Sequence, residues 1–298
     1  MRNNKLIIIW MIVLLLLIGV GIFAFAWKQH FNENTNKAIA VVQNGEASVV
    51  AVDGTPYGFE GQREINVGET IVTRDAEVLL TINGDFFVWV KKNSRLALKA
   101  FNETNIDVSL DNGAAWYMHV NSSSSQQFML ETPLTKTIPD GTKLFVTYDA
   151  TNDESTTLLV QGSAIVKDEF SSIELSPVEK TLRTENNGLR IVELSSDDKQ
   201  IVNSQLQKDY AILLAARMQE ISKYGVALNI IKGKYNLSDK NIEGVIQQID
   251  RGEVSVDDLI KRSPVPIPNI DRLLAFTNEA KQTLSVQKDF ANSINSTQ

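Results

Sequence analysis

The chain contains no cysteine among its 298 residues, and it has only two histidines, His30 and His119. The absence of cysteine excludes disulfide bonds, thiolate metal sites and a cysteine nucleophile. His119 has no second histidine, cysteine or close pair of carboxylates with it, so we interpret it as a packed or surface residue. An exported fold with this composition must be held together by apolar burial alone.

Long basic runs are also missing. The net charge is −7, and no basic patch follows residue 37, which argues against a nucleic-acid partner. The sequence has no glycine-rich phosphate loop and no dinucleotide-binding motif. The acidic group Asp149, Asp153 and Glu154 lacks the spacing of a calcium loop, and we interpret it as a solvated turn. We therefore predict that the protein is not an enzyme and needs no cofactor or metal.

An uncharged apolar run at residues 6–27 is long enough to cross the roughly 30 Å core of a bilayer as a helix. Positive charge is concentrated before it, so we predict a cytoplasmic tail at 1–5, a transmembrane helix at 6–27 and a juxtamembrane linker at 28–36. This predicts a single-pass membrane protein with most of the chain extracytoplasmic. Cleavage after Ala26 remains the alternative.

The region 37–184 alternates short β-branched and aromatic segments with Asn-Gly and Asp-Gly pairs, which suit tight hairpin turns. We predict an all-β domain, with a sandwich, an open barrel and a solenoid all open. Aromatic residues lie on both faces of its strands, and either a second buried layer or an exposed contact patch would explain them. The residues predicted as an interaction surface are Phe87, Trp89, Trp116 and Tyr117.

Five sequence pieces in this region follow one another in a recognisable order. They are a Gly-Glu-Thr-Ile-Val-Thr strand at 68–73, a strand pair around Gly84, a Thr-Pro pair at 132–133, a Gly-Thr-Lys-Leu-Phe-Val strand at 141–146, and Val-Gln-Gly-Ser-Ala-Ile-Val at 160–166. Together they resemble the FecR-like extracytoplasmic domain over residues 67–167. We expect the glycines of these pieces, Gly68, Gly84, Gly141 and Gly162, to supply turn geometry.

The resemblance implies a solenoid-like β fold that senses or binds other proteins in the bacterial envelope. Together with the predicted anchor, it implies a location in the bacterial inner membrane. Its best-known members also regulate a sigma factor through a helical cytoplasmic region. Residues 1–5 are too short to form even one stable helical turn. We therefore carry over the fold and the location, and not the sigma-factor regulation.

The sequence pattern after residue 184 predicts mainly helices. We predict a polar linker at 185–203, a helical region at 204–262, and a proline-rich spacer, a terminal helix and a polar tail at 263–298. Arg217 interrupts the apolar stripe of the first helix. These helices either cover an end of the β domain, which we favour, or form an oligomer.

Two functions follow from these features. The first is a membrane-anchored protein that binds an unidentified envelope protein through its FecR-like domain. The alternative is a module that binds cell wall or polysaccharide, with the four aromatic residues as stacking platforms.

Overall fold

The computed structural model describes residues 37–120, 126–222, 238–253, 255 and 270–295. The chain divides into two compact units, which are described separately. One unit is Asn34–Val202, and the other includes Asn203–Gln298. The first holds the β-strands, and the second is helical in the residues that are described.

The described part of the first unit forms fifteen strands joined in one hydrogen-bonded sheet. They are β1 (Ala38–Asn44), β2 (Ala47–Val50), β3 (Pro56–Phe59), β4 (Gln62–Glu64), β5 (Thr70–Thr73), β6 (Glu77–Ile82), β7 (Phe86–Val90), β8 (Arg95–Phe101), β9 (Asn105–His119), β10 (Gln127–Glu131), β11 (Lys136–Asp149), β12 (Glu154–Lys167), β13 (Ser172–Leu175), β14 (Glu179–Thr184) and β15 (Asn187–Val192).

This sheet folds over on itself into two layers, because its three longest strands change partners at mid-length. The first half of β9 pairs with β8 and β10, whereas its second half pairs with β7 and β11. The layers have the orders β4-β1-β6-β7-β9-β11-β12-β14-β15 and β3-β2-β5-β8-β9-β10-β11-β12-β13.

A side-chain contact across the end of β12 confirms the fold-over. Arg183 on β14 lies opposite Ser155, and its Nε is 2.9 Å from Oδ2 of Asp168, thirteen residues farther along the chain. A straight strand would separate positions 155 and 168 by roughly 43 Å, far beyond the reach of an arginine. The chain passes repeatedly from one layer to the other, which agrees with the expected sandwich or solenoid-like architecture.

Glycine residues mark the bends in the long strands. Gly113, Gly141 and Gly162 have φ values of 92°, 126° and 90°. A Cβ on Gly141 would lie 2.7 Å from the Cα of Gly162, so the two backbones approach too closely for any side chain. The sequence predicts hairpin turns at these positions, but all three glycines lie inside continuous strands. Gly68 and Gly84 do lie in turns, with φ values of 89° and 74°.

The core fills the space between the two layers. Alternate residues of β6 and β7, including Val78, Leu80 and Val88, point into it from the first layer. Leu98 and Val108 point into it from the second. Burial of this kind stabilises a fold by about 1.5–3 kcal/mol for each large side chain, which suits a chain without disulfides.

Within the described ranges, three helices follow the strands: α1 (Ser196–Ser222), α2 (Asp239–Asp250) and α3 (Ile270–Asn295). The segment predicted as a linker at 185–203 instead contains β15 and the start of α1. The predicted terminal helix is present and continues to Asn295. The proline-rich spacer at 264–268 lies outside the described residues.

A buried ion pair explains why Arg217 interrupts the apolar stripe of α1. Its Nη1 and Nη2 atoms donate to the carboxylate of Asp250 on α2 at 2.5 and 2.9 Å, and both side chains are fully buried. The Tyr210 hydroxyl donates to the same carboxylate at 2.7 Å, and Arg217 Nε donates to the carbonyl of Leu213. The arginine therefore joins α1 to α2 through a bidentate contact.

The predicted fold class is wrong in its first element, the transmembrane helix. Within the ranges that the structure describes, no helix is both long and apolar enough to cross a membrane. α1 and α3 have sufficient length, but charged residues are distributed along both. The predicted span at 6–27 and its flanks at 1–5 and 28–36 lie outside the described residues. The fold class is therefore mostly β with a C-terminal helical region.

Candidate interaction surface

The four aromatic residues predicted as an interaction surface are all buried. Phe87 and Trp89 are 5% exposed, Tyr117 is 1% exposed and Trp116 is fully buried. Tyr117 points into the core, where its ring lies 4.3 Å from that of Phe128. A ring that stacks on a sugar must present an open face, so this structure offers none of these four as a stacking platform.

Phe87, Trp89 and Trp116 belong to a second apolar layer on the other face of the first sheet layer. Across β7, β9, β11 and β12, Trp89 lies opposite Trp116, Trp116 opposite Phe145, and Phe145 opposite Leu158. The Trp116 and Phe145 rings are tilted by 44° with centroids 6.3 Å apart. The two-sided burial that the sequence allowed is therefore present.

His119 is a packed residue. Its ring stacks on Phe86 with centroids 4.2 Å apart, and burial lowers its pKa to about 4. The imidazole is neutral at physiological pH, and its Nε2 has no hydrogen-bond partner within the described part of the chain. No group of three or more metal-binding side chains occurs in that part either.

The acidic group after β11 stabilises a turn. The Asp149 carboxylate accepts hydrogen bonds from the backbone N–H of Thr151 at 2.8 Å and from Asn152 Nδ2 at 2.7 Å. Asp153 accepts one from the Tyr148 hydroxyl at 2.7 Å, and this bond is the main reason why the pKa of Tyr148 rises to about 12. These carboxylates act as turn acceptors, which is the structural role expected of them.

The polar residues of the sequence motifs also have structural roles. Glu69 is buried, and its carboxylate accepts hydrogen bonds from Arg63 Nη2 and the Asn66 backbone N–H, both at 2.8 Å. Thr132 begins the turn between β10 and β11, and its hydroxyl lies 3.0 Å from those of Thr135 and Ser155. This buried hydroxyl cluster links the turn to β12.

Two exposed apolar side chains lie at one end of the β unit. At this end, β13 and β15 are the last strands of the two layers. These strands lie beside each other, and we call this end the β13–β15 edge. Phe170, in the turn before β13, is 80% exposed, and Ile191 on β15 is 52% exposed. Exposed aromatic and branched side chains beside a sheet edge are typical of protein contacts.

The turn that carries Phe170 is fixed by Asp168. The carboxylate accepts hydrogen bonds from the backbone N–H groups of Phe170 at 2.9 Å and Ser171 at 2.6 Å, and from Arg183 Nε at 2.9 Å. Burial opposes ionisation, but these donors outweigh it and lower the pKa of Asp168 to about 2. Arg183 also donates to the carbonyl of Asn187, so the Phe170 turn is tied to the start of β15.

A family model described as FecR protein matches residues 69–165. The chain carries a FecR domain. The match runs from β5 to the second half of β12 and includes Glu69, Thr132, Gly141 and Gly162. The resemblance predicted from the sequence over 67–167 is therefore confirmed. The described residues of the β13–β15 edge lie beyond the matched segment, from Phe170 onward.

Solved structures similar to the FecR-domain chain include two crystal structures of a proposed anti-sigma factor from Parabacteroides distasonis ATCC 8503. Each is 15% identical, has a TM-score of 0.37, and covers 41% of this chain and 57% of that chain. The FecR-domain chain thus spans just over half the length of these structures. Among curated proteins, none matches the sequence.

Proposed function

We propose that this protein is a non-enzymatic sensing or regulatory protein of the bacterial envelope, which acts by binding another protein. The FecR domain supports a regulatory role, because the family resemblance implies a domain that senses or binds envelope proteins. The observation that carries the proposal is the exposure of two apolar side chains, Phe170 in the turn fixed by Asp168 and Ile191 on β15. These residues give the FecR-domain chain an ordered contact surface.

The polysaccharide-binding alternative has less support. Its stacking platforms were Phe87, Trp89, Trp116 and Tyr117, and all four rings are buried. A protein partner at the β13–β15 edge requires no change in the core. Oligomerisation through α3 also has little support, since its exposed described side chains are polar: Asp271, Asn278, Gln282, Ser285, Lys288, Asp289 and Asn292.

Site-specific crosslinking in cells tests the proposal. Because the chain has no cysteine, Phe170→Cys and Ile191→Cys each introduce a unique thiol for a photoreactive label. Val52→Cys is the matched control, since Val52 is 77% exposed near β3, at the far end of its layer. We expect one discrete crosslinked protein from positions 170 and 191 and none from position 52. Crosslinking only to lipid or glycan, or equally from all three sites, would contradict the proposal.

A further inference from the structure

The outer backbone edge of β15 has no strand paired with it in the part of the chain that the structure describes. β15 pairs only with β14 among the described residues, so every second residue directs its N–H and C=O groups away from the sheet. Neighbouring β13 likewise pairs only with β12 in the described chain. An open edge can accept an added strand from another protein.

β3, the last strand at the opposite end of the second layer, is poorly suited to accept an added strand. β3 contains Pro56, which has no N–H to donate, and Gly58, which has no side chain to pack. β15 has six residues and no proline, and its side chains include Leu189, Arg190 and Ile191. The sequence therefore protects the β3 edge and leaves the β15 edge accessible.

The charge at the β13–β15 edge indicates which kind of peptide segment would bind there. Four exposed carboxylates lie at this edge, and none forms an ion pair within the described residues: Glu169, Glu174, Glu185 and Glu193. Glu185 precedes β15 and Glu193 follows it, so carboxylates flank the strand at both ends. Two nearby cations, Arg183 and Lys180, are already paired with Asp168 and Asp198. The four carboxylates therefore outnumber the other nearby cations, Lys167 and Arg190.

We propose that the β13–β15 edge binds an extended segment of a partner protein, which adds to β15 as a strand and has apolar side chains flanked by lysine or arginine. The apolar residues would contact Ile191 and Phe170, and the flanking cations would lie near Glu185 and Glu193. This inference rests on the proposed function and specifies the chemistry of its partner. A second copy of the chain is a poorer occupant, because it would bring its own carboxylates to the same place.

A pair of synthetic peptides tests the charge requirement. One peptide has alternating valine and threonine flanked by two lysines at each end, and the other has glutamates in place of the lysines. Fluorescence anisotropy with the full-length protein measures both dissociation constants. We expect the lysine peptide to bind at least about five-fold more tightly, from two exposed ion pairs, and to lose that advantage at high salt.

Variants assign the binding to the edge. Glu185→Gln with Glu193→Gln should reduce the preference for lysine by at least about half, whereas Glu60→Gln, at an exposed glutamate between β3 and β4, should retain it. A lysine peptide whose central valine is replaced by proline should bind at least about ten-fold more weakly, because strand addition needs the lost N–H.

Equal affinity for the two peptides, no binding of either, or binding insensitive to the edge variants would overturn this inference. So would a concentration-dependent dimer, detected by sedimentation, that Ile191→Ser disrupts. In any of these cases a discrete crosslink from Phe170→Cys would still support the proposed function, so the two failures are distinguishable.

Discussion

Replacement of Gly141 by alanine tests whether the bend in β11 determines the two-layer fold. The backbone there has a φ of 126°, and an added Cβ would lie 2.7 Å from the Cα of Gly162. A left-handed backbone costs a residue with a side chain about 1–2 kcal/mol, and overpacking costs about 1–3 kcal/mol more. Lower entropy of the unfolded chain returns about 0.4–1 kcal/mol. We therefore expect Gly141→Ala to destabilise the protein by about 3 kcal/mol.

Urea denaturation followed by tryptophan fluorescence measures this loss, because Trp89 and Trp116 are buried in the β unit. With a slope of about 3 kcal/mol per molar urea, the midpoint should fall by about 1 M. Gly188→Ala is the matched control, since a Cβ added there would meet no atom within 4 Å and the φ of Gly188 is not positive. If Gly141→Ala and Gly188→Ala unfold at the same midpoint, the close approach of β11 and β12 does not constrain the fold.

Three further predictions concern other strained or buried groups. Val178 has a φ of 71°, and we expect Val178→Gly to stabilise the protein by about 1 kcal/mol in thermal unfolding; a lower melting temperature would refute this. Arg217→Met should lower the free energy of unfolding, measured in urea, by about 3–5 kcal/mol. Adding Asp250→Leu should restore most of that free energy. If the single and the double variant lose the same amount, the buried ion pair is contradicted. The folded-state pKa of His119 is depressed, so its contribution is present above the unfolded value of 6.5 and is lost as pH falls through about 4. His119→Phe should flatten the stability profile over this interval by up to about 3 kcal/mol, and an unchanged profile would rule out His119 as its source.

Local patterns predicted the short strands well. The strand expected at 68–73 and the strand pair expected around Gly84 are present as β5, β6 and β7, because period-2 alternation and the Asn83-Gly84 turn fix them locally. The same reasoning failed at Gly113, Gly141 and Gly162. A positive φ is needed both in a tight turn and in a bend within a strand, so the glycine signal alone does not distinguish the two.

Long-range packing determines which side chains are exposed, and the sequence alone did not show this. Phe87 and Trp89 alternate with core residues, and only the whole sheet shows that their face is also covered. Phe170 lies in a short polar segment without alternation, and the only local signal was Asp168, a common turn residue. Arg217 was visible as an irregularity, but its partner Asp250 is thirty-three residues away in the sequence.

The motif residues inside the FecR match and the residues that would select a partner are different. Hydrogen bonds within the domain hold the side chains of Glu69 and Thr132, and the backbones of Gly141 and Gly162 are in close approach. These residues therefore cannot also recognise a partner. Phe170 and the β15 strand lie beyond the matched segment and make few demands on the core. Substitutions at the β13–β15 edge should therefore change partner choice at little cost in stability. A domain built in this way could keep one fold while the sequence of its edge varies.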